Sequence, residues 1–374
     1  MFNILLILIF IRPFISSLAF PLANLTYSIL LIGFLFVWII RKGILINQSE
    51  DIKYPFILFV TALLISLVFS QDKITSIKEM YKYALGVLLF AIIASLSLNN
   101  KARIIKCLAL TGFIIGLIAI YQYFFGFRNV LSYINRQGAP LDSFALDYIS
   151  RRRVFYPFVT PNILGGYLAM VLIIALSYRR KIWIILPIFT ALLLTKSLGA
   201  LISLFIGLTL YFYLEGRLDK KKIIFLFAVL FIIFLVFASR AITQRQHTQP
   251  IFSTVMRLNY WRDTIRIIKS HPLTGVGPGN FNLITSRYAH NSYLQIWAEM
   301  GILGIISILW LAIASIKASL KNLKIENIKT VTAALISANI VFLSHNLLDF
   351  TFFLPEVSYL WWIILGLAIT INPT

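Results

Sequence analysis

Residues 271–304 read HPLTGVGPGNFNLITSRYAHNSYLQIWAEMGILG, and the reading of this stretch decides the fold. It opens with a Pro/Gly-rich turn, passes through a polar strip and reaches His290-Asn291. A long apolar run then begins at Ser292, Tyr293 and Leu294 and continues past Gly301 and Gly304 to about Ile316. A run of that length is a membrane-spanning helix. His290 and Asn291 therefore sit where a loop enters a membrane helix. The first turn of a helix presents free N–H groups and a partial positive charge. A histidine held there tends to stay neutral near pH 7, which suits a proton acceptor. A lone histidine at a helix start is more often a cap or a packing residue than a catalyst.

The rest of the chain repeats the apolar pattern. Hydrophobic side chains make up 60% of the 374 residues and charged ones 13%, and the mean hydropathy is +0.88. Such a composition excludes a soluble globular protein. Period-two alternation is absent, which argues against a β-barrel. We expect an all-α polytopic helix bundle of about twelve spans, at roughly 2–20, 24–40, 54–70, 81–98, 104–125, 160–178, 182–197, 199–214, 222–239, 292–316, 329–349 and 355–371. The whole chain, 1–374, reads as one integral membrane domain. No small-residue cleavage site follows the first apolar segment, so it reads as a retained anchor. One cysteine, Cys107, lies in an apolar segment, which excludes an internal disulfide and argues against a thiolate metal site. No cofactor is expected.

The net charge of +21 does not indicate nucleic acid, because the basic residues fall in short connections and two long loops. Arg41-Lys42, Lys101 and Arg103, Arg179-Arg180-Lys181, Lys220-Lys221-Lys222, and Lys317, Lys321 and Lys324 all fall on one side, which the positive-inside rule assigns to the cytoplasm with both termini. Lys73, Lys78 and Lys82 run against this count. The loops at 126–159 and 240–291 then face outward. They carry Arg128, Arg136, Arg151, Arg152, Arg153, Arg240, Arg245, Arg257, Arg262, Arg266 and Arg287, but a single lysine, Lys269. Lysine suffices as a topological point charge, whereas arginine's planar fork grips phosphate oxygens in pairs. The bias points to an outward anion site, with lipid headgroups as the alternative. Anionic lipid and a polyanionic lipid-linked substrate are the expected partners. An amphipathic helix at about 254–269 puts Leu258, Trp261, Ile265 and Ile268 on one face and Arg262, Arg266 and Lys269 on another, with Arg257 beside Trp261.

His290-Asn291, nine residues, then Gly301-x-x-Gly304, preceded by a Pro, spaced glycines and a Phe in HPLTGVGPGNF, resembles the bacterial O-antigen ligases and the related O-antigen and exopolysaccharide polymerases. Arg257 before Leu258-Asn259-Tyr260-Trp261 is similar to that family's Arg…Trp element. Arg151-Arg152-Arg153 approaching Pro161-Asn162 resembles its Arg-rich entry to a Pro-Asn helix start. In Thr195-Lys196-Ser197-Leu198-Gly199 the family arginine is replaced by Leu198. Lys196 could supply the charge, although two helical residues would separate them by about 200°. His345-Asn346 and Asp349 fall where the family carries a His and an Asp.

The resemblance implies transfer of an undecaprenyl-pyrophosphate-linked oligosaccharide to a sugar hydroxyl, on lipid A-core or a glycan, at the outer face of the bacterial inner membrane. It implies His290 as base and Arg257 as partner of the leaving pyrophosphate, with Arg153, Asn291, Lys196 and Asp349 binding substrate and no metal. Ligase, polymerase and protein O-glycosyltransferase stay open, as does oligomeric state. A polysaccharide flippase is the alternative from another class; it would place its site at mid-membrane between repeated halves, and no internal repeat is visible. Gly275-Val276-Gly277-Pro278-Gly279 is not a nucleotide loop, since it lacks both the third dinucleotide glycine and the Gly-Lys-Ser/Thr of a P-loop. It reads as a tight turn that sets His290 at the pocket. Glu299 is about half a turn out of phase with His290 and is expected to pair elsewhere in the bundle, for instance with an arginine.

Overall fold

Polar residues punctuate the apolar runs, and several helices start where one of them takes up free N–H groups. Asp72 accepts from Ile74 and Thr75 N–H, Thr160 from Ile163 N–H ahead of Pro161, Ser197 from Ala200 N–H, and Asn291 from Tyr293 and Leu294 N–H. The computed structural model describes residues 1–43, 50–129, 132, 148–178, 181–216, 218–247, 252–284 and 286–369. Arg136, Arg179 and Arg180 lie outside them.

The described helices are α1 (Phe2–Ile11), α2 (Pro21–Lys42), α3 (Glu50–Val68), α4 (Lys73–Ala94), α5 (Leu98–Tyr121), α6 (Pro161–Ser177), α7 (Ile182–Thr195), α8 (Leu198–Leu214), α9 (Lys220–His247), α10 (Phe252–Ser270), α11 (Ser292–Leu320), α12 (Glu326–His345) and α13 (Pro355–Ala368). This is the expected all-α membrane bundle. Among the described residues, five apolar segments are long enough to cross a bilayer: Pro21–Lys42, Leu98–Asn129, Lys220–Ser239, Ser292–Lys324 and Glu326–His345. The helices Phe2–Ile11, Pro161–Ser177, Ile182–Thr195 and Pro355–Ala368 are shorter than the sequence suggested. The first is the clearest case: it stops at Ile11, and Arg12–Phe14 form a 3-10 turn.

The core centres on α13, every residue of which is buried. Trp361 and Trp362 are its largest members, and Trp362 packs so closely on Gly86 of α4 that a β-carbon there would collide with the indole. Around it α3 packs on α11, α12 on α6 and α8, and α5 on α7. In contrast, α9 buries almost none of its apolar length, as a lipid-facing helix would.

Helix ends gather at two poles. At one, the Lys101 ammonium donates to Ile369 O, and Ser319 and Asn322 side chains reach Ala368 O at 3.2 and 3.1 Å. This pole holds Lys317, Lys321 and Lys324. At the other, α11 begins against the α12–α13 turn, and α4 begins against Pro278, where Ser76 Oγ donates to Pro278 O at 3.0 Å. Lys82 sits on this second pole, paired with Glu79.

Candidate active site

His290 occupies the junction that the sequence suggested, and three segments fix it there. Asn291 caps α11, accepting from Tyr293 and Leu294 N–H at 3.0 and 3.1 Å. Ser292 fastens that helix start to the α12–α13 turn: its N–H donates to Asn346 O at 2.9 Å and Asp349 O at 3.0 Å, and its Oγ to Asn346 Oδ1 at 2.6 Å. Asp349 and Phe350 are thereby brought beside His290. From α10, Tyr260 stacks on the imidazole (centroids 5.6 Å, 20°), and Phe350 meets it edge-on (4.8 Å, 89°). His290 itself has φ of 53°, a left-handed conformation that costs a non-glycine residue about 1 kcal/mol or more and persists only where neighbours enforce it.

The electrostatics couple residues far apart in sequence. Burial pushes the His290 imidazole below its ordinary pKa; Asp349 opposes this and Arg257 adds to it. Burial alone would push the Asp349 carboxyl up, but His345, His290 and Arg257 together outweigh it and hold the group below the usual range. Arg257 on α10 therefore acts on both groups. His345 Nε2 lies 3.4 Å from Asp349 Oδ2, close enough for an ion pair but off the line of a hydrogen bond. His290 Nδ1, both His345 nitrogens and Asp349 Oδ2 are buried with no aligned hydrogen bond. His345 fits because α6 and α8 present glycines to it. A β-carbon on Gly166 would strike the ring, and one on Gly199 would touch Nδ1 at 3.7 Å.

Arg153 and Lys196 form a second basic group. Arg153 is 2% exposed; its Nε donates to Thr195 O and its Nη2 to Asn162 Oδ1, both at 3.0 Å, and the guanidinium lies 5.3 Å from the Tyr148 ring. Part of its fork thus braces the start of α6 to the end of α7. Lys196 caps α7 in a left-handed conformation, so helical phase does not relate it to Leu198. Its ammonium donates to Arg151 O at 2.7 Å, and burial, then Arg153, Arg151 and Arg152, push its pKa down. Leu198 faces away, onto an apolar groove between α8 and α9 with Ile202, Phe227 and Phe231. This group meets the first across Gly165 and Gly166: Gly165 abuts Thr195 and Ser197, and its neighbour abuts His345.

The glycine turn docks into a break in α11. Gly301 has φ of 68° and interrupts the helix. The carbonyls this frees are taken by the turn, with Val276 N–H donating to Ala298 O and Gly277 N–H to Glu299 O, both at 2.9 Å, while Ile302 N–H donates to Pro272 O at 3.1 Å. Among the described residues, Glu299 pairs with no arginine. Its oxygens accept from Gln295 Nε2 and Gly279 N–H, each at 2.9 Å. On α10 the apolar face splits: Tyr260 and Ile268 enter the protein, while Leu258 and Ile265 stay exposed. Sequence reasoning marked His345 only by its family position and gave it no role, and it did not select Tyr260 or Gln295. Of these two, Gln295 had a usable signal, its i, i+4 spacing to Glu299 inside an apolar run. Among the described residues, no three His, Cys, Asp or Glu side chains come together as a metal-binding group.

Residues 183–309, from α7 to the middle of α11, match the family model described as O-antigen ligase. The match supports the resemblance to the O-antigen ligase superfamily carried by His290-Asn291 and Gly301-x-x-Gly304. An uncharacterized protein of Haemophilus influenzae is 22% identical over 366 residues, covering 88% of this chain and 87% of its own length.

Proposed function

We propose, from the O-antigen ligase-type membrane enzyme family that residues 183–309 match, that this chain moves an oligosaccharide from undecaprenyl pyrophosphate to a sugar hydroxyl at the outer face of the inner membrane. The packing of Tyr260 from α10 and Phe350 from the α12–α13 turn against His290, with Arg257 and Asp349 within electrostatic reach of the imidazole, carries this reading. The acceptor oxygen attacks the anomeric carbon and the bond to the pyrophosphate oxygen breaks, its electron pair leaving with the pyrophosphate. The hydroxyl proton passes to His290, which burial keeps neutral and ready to accept it. Asp349 steadies the imidazolium so formed. Arg257 meets the charge that develops on the leaving group. Attack opposite the leaving group inverts the anomeric carbon. Arg153 and Lys196 extend the positive region toward the donor's phosphates. Asn291 offers its remaining amide to a sugar hydroxyl.

The test is transfer by purified protein in lipid discs, with lipid-linked oligosaccharide and an acceptor glycan but no energy source. A new glycosidic bond is expected. His290→Ala should lose roughly 10²- to 10⁴-fold in rate, the usual contribution of a positioned base. Arg257→Lys should be severely impaired, because a point charge does not replace the fork. Wild-type turnover in the His290 variant would remove the catalytic assignment, and movement of donor across the membrane without bond formation would favour a flippase. An acceptor of lipid A-core identifies a ligase, and one of a further repeat unit a polymerase.

A further inference from the structure

We infer that Glu299 and Gln295 are positioning residues that hold His290 in its working orientation through a directed chain of hydrogen bonds. The inference rests on His290 being the base. Glu299 Oε2 accepts from Gly279 N–H at 2.9 Å, Glu299 Oε1 accepts from Gln295 Nε2 at 2.9 Å, and Gln295 Oε1 accepts from Ala289 N–H at 3.1 Å. Ala289 immediately precedes the base. Both side chains are 2% exposed and Ala289 is fully buried, so water does not compete for these bonds.

The chain has one workable polarity. Both backbone N–H groups are donors, so the two side chains must accept at the ends and share one hydrogen bond between them. A carboxylate has only acceptors and an amide has one of each. The Gln–Glu pair satisfies all three bonds, with the amide oxygen turned toward Ala289. The chain ends at the residue before a left-handed histidine whose other neighbour, Asn291, is itself held as the cap of α11. His290 is thus clamped on both sides. The same carboxylate ties down Gly279, so one group registers the glycine turn and the histidine loop against a single helical turn of α11. Among the described residues, Glu79 and Lys82 of α4 lie within electrostatic reach of Glu299.

Reversing the pair tests this. In the doubly substituted Gln295→Glu/Glu299→Gln protein, the amide at 299 accepts from Gly279 and donates to the carboxylate at 295, which accepts from Ala289. Every bond returns with the residues exchanged. Glu299→Gln alone forces a donor against a donor at one of the three links, an amide nitrogen facing the Gln295 amide nitrogen, the Ala289 N–H or the Gly279 N–H. Gln295→Glu alone sets two carboxyls against each other, and they fit only by sharing one proton. Each single variant is expected to lose roughly 10- to 100-fold in kcat, the scale of a small displacement of a reacting group, with KM for the donor nearly unchanged. The double variant should recover most of the loss, and Gln295→Glu should gain relative to wild type as pH falls.

Singles that turn over normally would overturn the inference. So would a double variant no better than either single, whether inactive or unfolded, or singles that lose only folded protein. His290→Ala, assayed alongside, separates the two ideas: if it is inactive while Glu299→Gln is normal, only the positioning role fails. If it is fully active, the base assignment itself fails.

Discussion

An imidazole that takes a proton must enter the reaction uncharged, and the surroundings of His290 set how acidic the medium can become before it does not. Burial lowers its pKa, Asp349 pulls in the opposite direction, and Arg257 reinforces the burial. Activity should therefore rise with pH through a midpoint below about 6.5, the ordinary histidine value, and level off above it. Asp349→Asn removes the group that favours the imidazolium, so the midpoint of kcat/KM against pH should move lower still; an upward move would contradict the placement of Asp349. The same shift carries a stability term of known sign. The fold favours neutral His290, so this contribution is present above the unfolded pKa and lost as pH falls through the depressed folded one. In the sequence, the resemblance to the O-antigen ligases, more than residue type and position alone, singled out His290, Arg257 and Asp349. Sequence alone did not separate ligand-binding from structural use. Asn291 and Arg153 look like substrate residues in one dimension, yet the Asn291 oxygen caps a helix and Arg153 braces Thr195 and Asn162.

At the scale of elements, α11 is the informative case. Its sequence reads as one apolar helix, since Gly301 and Gly304 interrupt neither the hydrophobic period nor the run. A glycine inside a helix signals a break only if something else supplies partners for the freed backbone groups. Here the supplier is the turn around Gly275–Gly279, which follows α10 and is invisible to any local reading of residues 292–320. Gly301→Ala tests the arrangement. The substituted residue must adopt φ near 68°, and its β-carbon would fall on the Leu273 carbonyl. The conformation alone costs about 1–3 kcal/mol, and displacement of Leu273 adds to it. A clear fall in thermal unfolding temperature in detergent is expected. An unchanged temperature would mean that the turn and the break are not interlocked. Most helices were legible because their length and apolarity are local properties. The mixed face of α10 was less so, since docking against Ala298 chose Tyr260 and Ile268 over Leu258 and Ile265.

Across the whole molecule, the first and last parts of the chain are joined by a buried charge pair that no local signal announces. Arg12 Nη2 lies 3.3 Å from Glu356 Oε2, across 344 residues of sequence, and both side chains are almost fully buried. Nη2 also donates to Asn24 Oδ1 at 2.9 Å, Nη1 donates to Ile15 O at 2.9 Å, and the guanidinium lies 4.9 Å from the Tyr27 ring and 5.5 Å from that of Tyr359. Glu356 takes Ser17 N–H at 3.0 Å on its other oxygen. In the sequence Arg12 interrupts an apolar anchor; in the fold it ends α1 early and ties it to the first turn of α13. That turn directly follows the segment carrying Asp349 and Phe350, so the pair also secures the floor of the candidate site. Removing one partner leaves a buried charge uncompensated, a loss of about 3–5 kcal/mol, whereas replacing both with apolar residues of similar size is often neutral. Arg12→Met and Glu356→Leu should each lower the unfolding temperature sharply, and the double variant should regain most of it. Additive losses in the double variant would show that the two ends of the chain are held by packing alone.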